Sequence, residues 1–447
     1  MKVNNFIDRL FKELDQRRVE EYEIYYMSSS KSSLKVFKGE VDSYSDSTTR
    51  GISLRVKDFG KMGYSYSESM TEKDIDYIIE EALNNAKIIE NEDIEPMHNG
   101  AGEYTVVEDY NPNLDDISVE SKINFLTTME SKAFSADKRI VSINYCMFGG
   151  GESSRIIRNS KGMDLTDKGN SAYTYLSVVA KEGDLIKTGS AFKVSNDFSD
   201  FDPAALADEA VGKAIAKLDT ISGIEGKLPV IIKNETFADM IGAFSGIFSA
   251  ENVQKGISKL KGMIGEEVAS SIITLVDNPH LEKGLGSTGF DSEGYPTRYK
   301  EIIKDGKLQS YLYNLKTAST DGVTSTGNAS KGSYKGTIGI SPSNFYILEG
   351  GNSPEDITSD IEKGVYIDSF SGLHSGINAI SGDFSLAAEG FAIIDGKKTK
   401  ALKQITVAGN YFQLLKDIVD VANDLSFGLS PIGSPTVRIG KLAIAAD

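Results

Sequence analysis

Ile7, Leu10, Phe11 and Leu14 recur at helical spacing near the start of the chain, and the run EYEIYYMSS behind them reads as a strand. In GISLRVKDFGKMGYSYS, Ile52, Leu54 and Val56 alternate with polar residues, as do Met62, Tyr64 and Tyr66 beyond a glycine-containing turn. That period of two predicts a half-buried hairpin. Thr71 and Asp74 form a capping-box start for a helix whose apolar stripe is Ile75, Ile78, Ile79, Ala82 and Ala86. A second helix is expected over about 117–134, with Val119, Ile123, Leu126 and Ala133 on one face. Residues 139–194 read as further strands, broken by GGGESS and NSKGMD. Asp202-Pro203 then caps the helix AALADEAVGKAIAKL.

The stretch DTISGIEGKLPV mixes turn formers with few apolar residues and marks a boundary between two domains, 1–222 and 223–447. Beyond it come the strand PVIIKN and ETFADMIGAFSGIFSAENV, a helix apolar nearly all round and therefore buried. SIITLV (271–276) reads as a strand. Asp305-Gly306 and the Asp-Gly of GFAIIDGKK each predict a type I′ hairpin turn, since both central positions want positive φ. A closing helix is expected over about 410–424, with Leu414, Ile418 and Ala422 on one face. The fold class is α/β in the α+β sense: two domains, each with mixed or antiparallel sheet, hairpins and flanking helices.

Composition narrows the function. At 447 residues the chain exceeds a usual single core, and 40% apolar residues suffice for two. Forty-eight basic against 65 acidic side chains leave a formal charge of −17, which disfavours direct nucleic-acid binding. Cys146 is the lone cysteine, expected as a small buried residue. With no apolar run of bilayer length and no signal-type leader, a cytoplasmic protein is expected.

GLGSTGFDSEGYP contains a literal G-x-G-x-x-G in Gly284, Gly286 and Gly289. A dinucleotide loop needs a strand running directly into the glycines and a helix leaving them. Here DNPHLEK intervenes before the loop and a hairpin follows it, so a loop leading into a hairpin is the better reading. Of the three histidines, His98 and His280 read as loop residues, His98 as a solvated one. His374, between glycine-bearing turns, is the stronger functional candidate. Asp291, Glu293 and Asp383 also lie in glycine-rich loops, where a carboxylate ordinarily bonds its own backbone. No G-x-S-x-G elbow exists, since GAFSG places Ser245 one position out of register.

The ordered segments EEVASSIITLVDNPHLEKGLGSTGFDSEGYPTR, KDGKLQSYLYNLKTA, STGNA, ISGDFS, ITVAGN and SPTVRIG resemble the TldD/PmbA proteins, most closely the PmbA (TldE) branch. The first half resembles them more loosely, through VFKGEVDSYSDSTTRGISLRV. The resemblance implies a subunit that pairs with a TldD-like partner in a zinc metallopeptidase acting on unfolded peptides, a family also called modulators of DNA gyrase. In the TldD branch the helix after the PVIIKN-like strand carries His-Glu-x-x-x-His. Here it reads Met240-Ile241-Gly242-Ala243-Phe244-Ser245-Gly246-Ile247, and NDLSFGLSPIGSP supplies no cysteine near the C-terminus. The expectation is a chain that binds no zinc and has no catalytic residue of its own, with the metal in the partner. Gly286, Gly289, Phe290, Asp291, His374 and Asp383 are its expected substrate-binding positions. A homodimer is expected when the chain is alone. Two other classes remain open: a metal-independent peptidase or amidase using Asp291, Asp383 or His374, and a non-enzymatic binder of gyrase or an antitoxin.

Overall fold

The computed structural model describes residues 2–89 and 95–446. Six antiparallel strands from the first half, β1 (Glu21–Phe37), β2 (Glu40–Asp58), β3 (Lys61–Ser67), β4 (Ile140–Asn159), β5 (Asp164–Glu182) and β6 (Leu185–Ser195), form a sheet in the order β3-β2-β1-β4-β5-β6. Alternation sorts their side chains. Ile24, Ile52, Leu54 and Val56 face helices Val3–Gln16 and Glu72–Ile88. Leu34, Val36, Leu176 and Val178 face helices Val119–Ala136 and Pro203–Ala216. The opposite face carries Tyr25, Ser53, Arg55 and Arg155 and turns toward the second half of the chain.

Local chemistry fixes the element ends as expected in several places. The Thr71 backbone N–H donates to Asp74 (2.7 Å), and Asp202 accepts from the N–H groups of Ala204 and Ala205 (2.8 and 3.2 Å). Asp305 and Gly306 have φ of 48° and 79°, and Asp395 and Gly396 φ of 48° and 74°, so both Asp-Gly dipeptides make the turns they predict.

The second half builds two sheets. Lys363–Ser371, Gly226–Ile232, Val437–Ala446, Ile405–Asn410 and Asp383–Ile394 pair successively, and the last pairs back to the first, closing a ring. A smaller sheet runs Lys307–Leu308, Lys300–Lys304, Leu275–Asp277, Phe345–Ile347, Ile432–Ser434 and Ser426–Phe427.

Four sequence readings need correction. GGGESS does not break a strand: Gly149–Gly151 continue through β4, bonded in ladders to β1 and β5 on both sides. A Cβ on Gly151 would lie 1.9 Å from the Ser30 carbonyl oxygen, so the glycine permits close strand approach rather than a turn. Residues 410–424 form only a short helix, Tyr411–Lys416; Ile418–Val421 then pairs with Val437–Ile439 because β-branched side chains there find a ladder to join. In SIITLV, only Leu275 and Val276 enter a strand. The apolar helix stops at Phe244 and gives way to a 3-10 turn, Ser245–Phe248, and a short helix, Ala250–Gln254; the Ser245 hydroxyl donates to the Gly242 carbonyl at 2.8 Å. Phe237, Met240, Ile241 and Phe244 pack inside this domain's own core, so the helix offers no apolar face to another subunit.

Candidate functional site

The free face of the first sheet meets the glycine loop 284–299 and segment 326–343. Arg155, on β4, makes the junction. Its Nη2 donates to Asp167 (2.9 Å), to the Thr288 hydroxyl (2.6 Å) and to the Phe290 carbonyl (2.7 Å), and its guanidinium lies 4.5 Å from the Phe290 ring centre. Gly286 and Gly289 have no positive φ. Their role is close approach: a Cβ on Gly289 would stand 2.2 Å from the Thr105 carbonyl oxygen, and one on Gly286 2.8 Å from the Ser343 carbonyl carbon.

Asp291 is buried and behaves as a turn residue. Its Oδ1 accepts from the Glu293 and Tyr295 N–H groups (both 2.9 Å) and its Oδ2 from Ala329 N–H (3.0 Å). Two residues on, buried Glu293 accepts from Leu315 N–H at 2.7 Å, at the start of helix Leu315–Asp321. Burial pushes both carboxyls upward, and the Asp291 charge adds to the effect on Glu293.

Facing them from the sheet are Glu23 and Arg55, both buried and joined Nε to Oε1 at 2.9 Å. Lys331 sits beside this pair. Its Nζ donates to the Ser53 hydroxyl at 2.7 Å and lies 4.6 Å from the Tyr25 ring centre, and no carboxylate among the described residues reaches it as an ion pair. Burial lowers its pKa to about 8, against a raising influence from Glu23. Between sheet and loops lies a cavity of about 330 Å³ whose walls include Tyr25, Arg155, Asp167, Gly286, Asp291 and Lys331. It shares Asp109, Ser153, Gly169 and Leu285 with a larger space of about 630 Å³ along the serine-rich part of β1. Asp109 is raised to about 6 by burial and by Asp167.

Of the expected positions, Gly286 and Asp291 line the cavity, and Phe290 packs behind it with Tyr25, Ile157 and Met163. His374 and Asp383 are exposed and do not line it. Asp383 accepts instead from the Asn410 side chain at 2.8 Å, which holds it below the usual carboxylate range. His98 is not solvated: only 9% exposed, it accepts from Gly100 N–H at 3.1 Å and packs its ring edge-on against Tyr295. His280 is a loop residue bonded to Thr297. Glu23, Arg55, Arg155 and Lys331 carry no motif of their own; the polar positions between Ile52, Leu54 and Val56 were the one visible sign of a second, non-core face.

The fold is shared with a class of peptidase-like proteins. The chain belongs to the PmbA/TldD family: descriptions of the PmbA/TldA metallopeptidase match as domain 1 over 22–86, the central domain over 112–218 and the C-terminal domain over 225–446. A crystal structure from Thermotoga maritima MSB8, a candidate modulator of a DNA gyrase, is 31% identical, with a TM-score of 0.92, covering 99% of this chain and 100% of that one. TldE from Thermococcus kodakarensis is 25% identical, with a TM-score of 0.88 and coverage of 99% and 100%. Metalloprotease PmbA from Escherichia coli O157:H7 is 29% identical over 75% of this chain and 73% of its own length.

Proposed function

We propose that the chain is the PmbA/TldE-type subunit of a TldD/TldE-type zinc metallopeptidase, shaping the cavity for an unfolded peptide while the partner holds the zinc. The observation that carries this reading is the cavity between the first sheet and the glycine loop, polar in its walls and sharing residues with a larger space along the serine-rich part of β1, where an extended chain could lie beside the strand. The likeness to TldE supports the assignment to that branch.

A zinc ion needs three protein ligands and an open position. Helix Asn234–Phe244 does not fit that need: where ligands would project, it has Gly242 and Ala243, and its Met240, Ile241 and Phe244 are buried in the core. Among the described residues, no group of three or more His, Cys, Asp or Glu side chains converges. A lone metal-independent peptidase is less well supported, because Asp291 is already engaged by three N–H groups and His374 and Asp383 lie outside the cavity. Mixing the purified chain with a TldD-type partner tests the assignment. A complex on size-exclusion chromatography, with zinc following the partner alone in elemental analysis, is expected. One tightly held zinc on this chain, or no complex at micromolar concentration, would overturn it.

A further inference from the structure

The cavity is not uniform along its length. Its rows follow the sheet register: Tyr25 opposite Ile157, Met27 opposite Arg155, and Ser29 opposite Ser153. Lys331 lies over Tyr25 at one end, and Asp109 lies against Gly169 opposite Ser153 at the other. Four strand positions, ~13 Å, separate the two ends. Past Lys331, the space bounded by Glu23, Ser53, Arg55, Tyr64 and Ser292 narrows to about 10 Å³, a neck with room for a single water that closes this end to a peptide chain and separates it from another cavity, of about 480 Å³, beyond Arg55, Tyr64 and Ile338. In the other direction the cavity opens into the serine-lined groove.

Charges on the walls are compensated except at the two ends. Arg155 is paired with Asp167, Lys168 with Glu152 at 3.1 Å, and Asp291 is satisfied by backbone N–H groups. Asp109 sits beside Asp167 with no cation paired to it among the described residues, and it belongs to the open end. Lys331 has only a hydroxyl and an aromatic face. Ser330 and Ser343 stand on the same wall with hydroxyls to offer.

Resting on the peptide-cavity reading, we propose that Lys331 receives the free C-terminal carboxylate of the bound peptide, whose preceding residues run along the sheet face toward Asp109 and out through the serine-lined groove. A carboxylate there supplies the missing counter-charge to a partly desolvated ammonium, an interaction much stronger than the same pair in water. A chain entering a groove with one closed end can place only a terminus there. About four extended residues would occupy the cavity.

The test uses the full chain and N-terminally fluorescein-labelled decapeptides without acidic residues, one with a free C-terminus, one amidated, and one amidated with a single central Glu. Fluorescence anisotropy is expected to show the free acid binding at least tenfold tighter than either amide, and Lys331→Met to remove that preference. Equal binding of acid and amide would overturn the role of Lys331 and leave the cavity reading intact. Preference for the central Glu would move the carboxylate to a side chain and equally overturn the proposal. Failure of all three peptides to bind would overturn both this proposal and the cavity reading on which it rests.

Discussion

Lys331 carries the most distinctive charge in the cavity, because no carboxylate among the described residues pairs with it directly and Glu23 offsets its burial only in part. Its amine titrates near 8 in the folded chain against an ordinary value of 10.5. Between those two values the unfolded chain binds the proton and the folded chain does not, so stability rises with pH across that window. Below pH 8 both states carry the charge, and the folded state bears the full cost of burying it. Lys331→Met is therefore expected to raise the melting temperature at pH 7, with the gain shrinking as pH approaches 10. A gain that is constant from pH 7 to 10 would show that the amine is not perturbed. None of this was legible residue by residue. Lys331 and Ser53 are 278 positions apart, and only the antiparallel register of β1 and β2 brings Glu23, Tyr25, Ser53 and Arg55 onto one face.

At the scale of elements, the glycine loop shows how far local pattern reaches. Asp305-Gly306 and Asp395-Gly396 were readable because a type I′ turn is decided by the two residues that form it. GGGESS and the segment after Lys416 were not, because strand pairing there depends on ladders supplied by residues far along the chain. The loop's glycines fall between these cases. For Gly286 and Gly289 the need was legible, but its form is backbone contact with Ser343 and Thr105 rather than the positive φ that Gly294 in the same loop adopts. Gly289→Ala must push the loop away from the segment carrying Thr105. It is expected to cost about 1–3 kcal/mol of stability through overpacking and to weaken peptide binding more than tenfold. Unchanged peptide affinity, measured by anisotropy alongside a thermal melt, would make the loop a purely structural one.

For the whole molecule, the sequence conveyed the α/β class, with mixed or antiparallel sheets, hairpins and flanking helices. It did not convey that the free face of the first sheet closes over the glycine loop, since nothing in either segment specifies the other. It did convey that the apolar helix at 234–244 is buried, and the structure places that burial within its own core. No helix among the described residues is long and apolar enough to cross a membrane. The proposed division of labour gives this chain the shaping of the peptide cavity and a TldD-type partner the zinc chemistry. Cleavage of one unfolded peptide by this chain alone, by the partner alone and by their equimolar mixture tests that division most directly. Cleavage in the mixture, abolished by a chelator, with none from this chain alone, is the expected result; chelator-resistant cleavage by this chain alone would contradict it.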